Sequence, residues 1–223
     1  MFAGTIFYDG QGFMVKKSLG IKSAKELKGA SVCVQTGTTT ELNLADFFRT
    51  NKIDYKPVVF EKNDEIVAAY EAGRCDAYTT DASGLYAERL RMKVPADNIV
   101  LPDIISKEPL GPSVRQGDSQ WFTIVKWVHY AMLNAEELGV TQKNVDEMGS
   151  SANPEIKRLL GKEGDFGKGI GLDNDWVVKI VKAVGNYGES YNRNVGAGSR
   201  LNIDRGLNKL WNAGGLQYAP PIR

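Results

Sequence analysis

One histidine, His129, and two cysteines, Cys33 and Cys75, are all that this 223-residue chain holds of the side chains most used for acid–base, nucleophilic and zinc chemistry. A histidine triad or a thiolate zinc site needs more such groups than are present, and His129 falls inside a long helical pattern as a packing or surface residue. Charge of one sign is also scarce. The 28 basic and 27 acidic residues leave a formal net charge of +1, too little to draw the chain to nucleic acid or an anionic membrane surface. No apolar run approaches bilayer length, and Met1-Phe-Ala-Gly-Thr-Ile-Phe-Tyr8 lacks the basic stretch and hydrophobic segment of a secretory leader. A dinucleotide loop and a Walker-type lysine loop are both missing: Gly167-Lys-Gly-Ile-Gly171 has glycines but neither a strand before it nor a helix after it. No cofactor and no metal are expected, while chemistry by lysine or carboxylates alone stays open. The even cysteine count fits one disulfide or two buried thiols.

What is present is an alternation of strand and helix patterns. Met1 to Val15 reads as a strand interrupted by Asp9-Gly-Gln-Gly12, and Ser23-Ala-Lys-Glu26 has the capping-box spacing of a short helix ended by Gly29. Ser31-Val-Cys-Val-Gln35 is a clear strand. Thr38 and Glu41 again have capping-box spacing, and Leu42, Ala45 and Phe48 follow at the helical period, which predicts a helix to about Thr50. Pro57 to Phe60 is the next strand and Asn63 to Ala72 the next helix, stopped by Gly73. Cys75 to Thr80 is a third strand, residues after Asp81 to Met92 a third helix, and Ile99 to Leu101 a further short strand. Such a succession is an α/β unit with right-handed crossovers, in which the first and third of these strands lie side by side and the second lies outside the first. Both cysteines stand near the starts of the neighbouring strands, where Cα atoms come within the roughly 7 Å that a disulfide requires.

Beyond residue 110 the texture becomes helical. Trp121 to Leu138 is a long amphipathic helix closed by Gly139, Asn153 to Leu160 a short one with Pro154 in its first turn, and Asp173 to Val184 another. Leu207 to Trp211 is a last helical turn. The expected division is a crossing or hinge strand at 1–14, a complete α/β lobe at 15–112, and a hinge return with a helical part at 113–223. Amphipathic helices without a sheet of their own need another apolar surface, which makes a homodimer an expected partner arrangement.

Two segments carry the candidate site. Gly37 allows close approach of backbone, and the amides of Thr38, Thr39 and Thr40 open a helix, where free N–H groups and the helix dipole favour a carboxylate. Asp81 follows its strand at the matching level and can accept hydrogen bonds from an α-ammonium group. Together they would select a ligand that carries both charges, an amino acid, with Tyr86 at the pocket mouth. Each segment also has a plainer reading, since Thr38 and Asp81 both stand where helix N-caps stand.

Several stretches resemble the general L-amino-acid-binding proteins of bacterial ABC importers: Tyr8-Asp-Gly-Gln-Gly-Phe-Met-Val15, Cys33 to Glu41, Gly73 to Asp81, Ser106 to Pro112, Asn186-Tyr-Gly-Glu189 and Leu210 to Pro221. The resemblance covers nearly the whole chain. It implies a type II periplasmic-binding-protein-like fold, one complete α/β lobe here with the helical remainder of an incomplete second lobe. It further implies a periplasmic, non-enzymatic receptor that closes around an L-amino acid with a polar or acidic side chain and delivers it to a membrane permease. The counterparts of Thr38 and Thr39 hold the carboxylate in that family, the counterpart of Asp81 holds the amino group, and the matching cysteines form a disulfide. Family members also carry an additional segment before the point matching Phe2, with the signal, most of the first lobe, a carboxylate-clamping arginine and aromatic residues that cover the side chain. Two readings of function follow. One is a solute-binding module that keeps part of the ligand contacts; the other is a truncated structural or antigenic protein that forms an intertwined dimer. An enzyme grown on the same fold is a third, weakened by the scarcity of acid–base groups.

Overall fold

The computed structural model describes residues 1–223. Its strands are β1 (Phe7–Asp9), β2 (Gln11–Lys16), β3 (Ser31–Gln35), β4 (Lys56–Phe60), β5 (Ala77–Asp81), β6 (Asn98–Val100) and β7 (Glu108–Leu110). Its helices are α1 (Thr39–Thr50), α2 (Asn63–Glu71), α3 (Ala82–Arg91), α4 (Ser119–Glu137), α5 (Val145–Met148), α6 (Pro154–Leu159), α7 (Trp176–Val184) and α8 (Tyr187–Asn194). The chain divides into two compact units, Asp9–Pro109 and Met1–Tyr8 with Leu110–Arg223. No helix is long and apolar enough to cross a membrane.

In the Asp9–Pro109 unit five strands form one sheet in the order β4-β3-β5-β2-β6. β3 runs parallel to β4 and β5, as the strand–helix–strand alternation leads one to expect, whereas β2 is antiparallel to both β5 and β6. The period-two alternation of strands sorts side chains onto two faces. Phe13, Val15, Val32, Val34 and Ala77 point to a core shared with Leu44 and Phe48 of α1. Met14, Cys33 and Tyr78 point to the other, where Ile66, Ala69 and Tyr70 of α2 and Leu85 of α3 cover them. Both faces of β2 are therefore buried, and burying its three large side chains contributes about 1.5–3 kcal/mol each.

The expected division, a crossing or hinge strand at 1–14 and a lobe from 15, cuts through β2. Only Gly10 separates β1 from β2, and β2 sits inside the five-stranded sheet. Antiparallel pairing with β5, 62 to 70 residues away by register, leaves no local mark in the chain, so the interruption at 9–12 looks longer than it is.

Cys33 and Cys75 form a disulfide with Cα atoms 5.7 Å apart, which settles the choice between a bridge and two thiols. The geometry is not the level pairing that strand starts suggest. Cys33 lies opposite Tyr78, and Cys75 precedes β5 by two residues, so the bridge runs diagonally below the strand ends within the α2–α3 core. Asp76 braces the same edge, accepting bonds from the Ser31 N–H at 2.8 Å and the Ser31 hydroxyl at 2.6 Å. These bonds hold its carboxyl below the usual range.

The second unit is built on α4, whose buried residues Ala131 and Ala135 face Ile156 and Leu159 of α6 and Trp176, Val177 and Val181 of α7. α5 and α8 carry too little apolar pattern to be expected from sequence. α8 is nonetheless marked by a closed capping box between Asn186 and Glu189. The Arg205 guanidinium lies over the rings of Tyr187 and Tyr191, at 5.3 and 5.6 Å, and pairs with Glu136 of α4. The first eight residues are tied to this unit: Tyr187 donates to the Ile6 carbonyl at 2.8 Å, and Asn208 bonds both the N–H and the C=O of Tyr8. Where one turn of helix is expected at 207–211, two short turns occur, Gly206–Asn208 and Trp211–Ala213. His129 is buried edge-on to Tyr187 at 5.6 Å, and burial pushes its pKa down.

Candidate functional site

β3 and β5 are parallel neighbours, and their C-terminal ends deliver the two halves of the candidate site to the same edge of the sheet. β3 leads through Thr36 and Gly37 into α1, and Asp81 is the last residue of β5. Gly37 has φ of +71°, a left-handed conformation that lets the chain turn sharply from strand to helix.

The three threonines play different parts. Thr38 is the N-cap of α1: its hydroxyl donates to the Gln35 carbonyl at 2.7 Å and accepts from the Glu41 N–H at 3.3 Å. Its side chain is thus occupied within the protein. Glu41 in turn takes the Gly37 N–H at 2.8 Å and the Thr36 hydroxyl at 3.2 Å. The backbone N–H groups of Thr38, Thr39 and Thr40 find no acceptor in the protein, as the first turn of a helix requires unless something caps it. Thr39 is exposed, with its hydroxyl uncommitted. Unpaired donors at the positive end of a twelve-residue helix are the kind of group that favours a small anion.

Asp81 stands in the N-cap position of α3 yet makes no capping bond, and no cation of the protein pairs with it. Burial raises its pKa, and the nearby carboxylates of Asp9 and Glu108 raise it further. Asp9 is held by the hydroxyl and N–H of Ser83 and by the Gly10 N–H at 2.9 Å. Glu108 accepts from the Ser106 hydroxyl at 2.9 Å. The result is a half-buried negative centre of three carboxylates without a counter-ion, which a cationic group of a ligand would relieve.

Beside these elements lies an open pocket of about 610 Å³, lined by Thr39 and Asn43 of α1 and by Ile104 to Glu108. Gly10 makes its wall possible, because a Cβ there would lie 2.6 Å from the Ser106 carbonyl oxygen and against Ile104. Of the residues expected at the site only Thr39 lines this pocket; Gly37, Thr38, Thr40 and Asp81 do not, and Tyr86 is placed one turn into α3, half-buried with the Arg89 guanidinium over its ring at 5.0 Å. Nothing local in the sequence marks Asp9, Glu108 and Gln11 as neighbours of Asp81. Their only signal is the polar interruption Asp9-Gly-Gln-Gly12 within apolar strand, which gives no hint of the second segment, 104–108, that it meets.

No protein-family model matches the chain. Over 224 residues it is 64% identical to the general L-amino acid-binding periplasmic protein AapJ of Rhizobium johnstonii, an alignment that covers 100% of this chain and 66% of that protein. It is 56% identical over 223 residues to the glutamate/glutamine/aspartate/asparagine-binding protein BztA of Rhodobacter capsulatus, again covering 100% of this chain and 66% of the relative. A solved ABC-transporter periplasmic binding protein from Brucella ovis, with glutathione bound, superposes with a TM-score of 0.92 at 62% identity, covering 100% of this chain and 70% of that one. The chain spans about two thirds of the length of the curated relatives it matches. An α/β lobe followed by a helical region, superposing end to end at this identity, leaves one conclusion: the chain belongs to the periplasmic amino-acid-binding proteins of ABC transporters.

Proposed function

We propose that the Asp9–Pro109 unit binds the zwitterionic head of an L-amino acid, with the carboxylate on the Thr38–Thr40 amides and the Thr39 hydroxyl and the ammonium group on Asp81. The observation that carries this reading is Asp81 itself, a half-buried carboxylate that neither caps its helix nor pairs with a cation, at the same sheet edge as free helix-start amides. The role is that of a receptor, not an enzyme, and a membrane permease is the expected recipient of the ligand. The open pocket of about 610 Å³ on the Thr39 side of the seat supports room for a polar or acidic side chain or a longer γ-linked chain. Glutathione, bound by the Brucella ovis relative, presents the same α-amino acid head at its glutamyl end. Titration calorimetry of the full chain against L-glutamate, L-glutamine, L-aspartate, L-asparagine and glutathione tests the reading. Heat from at least one of them, lost in Asp81→Asn, supports it; no binding by any up to millimolar concentration removes it.

A homodimer is a separate part of the proposal. The Met1–Tyr8 and Leu110–Arg223 unit exposes Phe2, Trp121, Leu207, Trp211, Leu216 and Tyr218, each more than half accessible, which supports self-association through that unit. Sedimentation equilibrium that returns only the 24.5 kDa monomer would contradict it.

A further inference from the structure

The two halves of the proposed seat belong to different elements, and a zwitterion is read only if their separation is fixed. One side chain joins them. Gln11 of β2 is 1% exposed, and its Nε2 donates to the Thr40 carbonyl in the first turn of α1 at 3.0 Å and to the Thr79 hydroxyl on β5 at 2.9 Å. Thr79 is two residues from Asp81 on the same face of β5, and Gln11 is the register partner of Asp81 across the β2–β5 ladder. The Thr79 hydroxyl donates its own hydrogen bond to the Gly12 carbonyl at 2.7 Å, which leaves a lone pair for the Gln11 amide. The Gln11 main chain also reaches the pocket wall, with its N–H on the Ser106 hydroxyl at 3.0 Å and its carbonyl accepting from the Ile105 N–H at 2.9 Å. No protein donor reaches the buried Gln11 Oε1.

From this convergence we infer that Gln11 is the positioning residue of the ligand seat: it sets the distance between the carboxylate-binding start of α1 and the ammonium-binding end of β5, so that both charges of one ligand are met at once. The inference rests on the zwitterion reading above. It assigns Gln11 no contact with the ligand.

The test compares the full wild-type chain with Gln11→Met, which keeps the length and loses both donors, using the amino acid that the wild type binds best and two singly charged analogues, its des-amino acid and its α-carboxamide. Gln11→Met is expected to weaken the zwitterion about tenfold while changing each analogue less than twofold, because each analogue uses only one half of the seat. In the Gln11→Met background, Asp81→Asn should then cost markedly less than in the wild type, a coupling that a merely structural role would not produce. Should Gln11→Met fail to fold, Thr79→Val breaks the same link from the other side, and Thr79→Ser should restore wild-type affinity. Equal weakening of zwitterion and analogues, additive effects with Asp81→Asn, or unchanged affinity in a folded variant would each overturn the assignment. A wild type that binds no amino acid would instead remove the zwitterion reading, and this inference with it.

Discussion

Replacing Asp81 by asparagine removes one negative charge and keeps a carbonyl acceptor of nearly the same shape, so the change isolates the electrostatic part of ammonium recognition. A charge-assisted hydrogen bond is worth about 1.5–3 kcal/mol against about 0.5–1.5 for a neutral one. Removing one partner of a desolvated charge pair costs about 2–5 kcal/mol, and the half-exposed position of Asp81 places it at the lower end, about 2–3 kcal/mol. The expected loss is therefore roughly 30- to 160-fold in Kd for an L-amino acid. Stability should move the other way. Asp81 has its pKa raised above the ordinary 3.8 by burial and by Asp9 and Glu108, so its ionised form is a burden to the ligand-free fold, felt increasingly as pH rises through the window above 3.8. Asparagine carries no such burden, and the variant should melt at or above the wild-type temperature at neutral pH. On the proposed reading the ammonium group is held by the ionised form, so wild-type affinity should fall, with proton release on binding, as pH is lowered into the same window, while Asp81→Asn shows no such dependence. Calorimetry in two buffers of different ionisation enthalpy, together with thermal melts, reads all three quantities. A folded Asp81→Asn protein with unchanged affinity, or a loss of affinity matched by a fall in melting temperature, would refute the reasoning.

Three further outcomes follow from the packing. Replacing Cys33 and Cys75 together by serine opens a loop of 42-residue separation, and the chain-entropy argument puts the loss at about 3–4 kcal/mol in urea unfolding; no shift in midpoint would contradict it. Gly10→Ala forces a methyl group against Ile104 and the Ser106 carbonyl, and should cost about 1–3 kcal/mol and disturb the pocket wall; an unaltered melt and unaltered binding would show that the wall yields freely. His129 is buried with its pKa lowered from 6.5, so the stability tied to its neutral form is present above 6.5 and declines as pH falls. His129→Asn should flatten that part of the pH–stability curve, and an identical slope would assign acid sensitivity elsewhere.

Much of the α/β unit is legible in the chain because its signals are local. The Thr38 and Glu41 spacing marks the start of α1, Gly73 stops α2, and apolar runs mark β3 and β4. The order β4-β3-β5 follows from crossover rules that need no tertiary information. What is not legible depends on pairing at a distance. Nothing near Gln11 announces that β2 inserts antiparallel between β5 and β6, and only that insertion brings Gln11 opposite Asp81. Asp9 and Glu108 likewise act on Asp81 from segments about a hundred residues apart, through space and not through spacing. Thr38 shows the converse: its local cap signal is genuine, and the structure uses its hydroxyl for that cap, leaving the backbone amides of Thr38 to Thr40 as the donors that remain.

The central claim, that free amides at the start of α1 receive a ligand carboxylate while Asp81 receives its ammonium group, is met most directly by amide-resolved NMR of the full chain titrated with L-glutamine. The expected result is saturable shifts of the Thr38, Thr39 and Thr40 N–H signals, abolished or moved to far higher ligand concentration in Asp81→Asn. Binding detected by calorimetry that leaves those three amides unmoved would contradict the account.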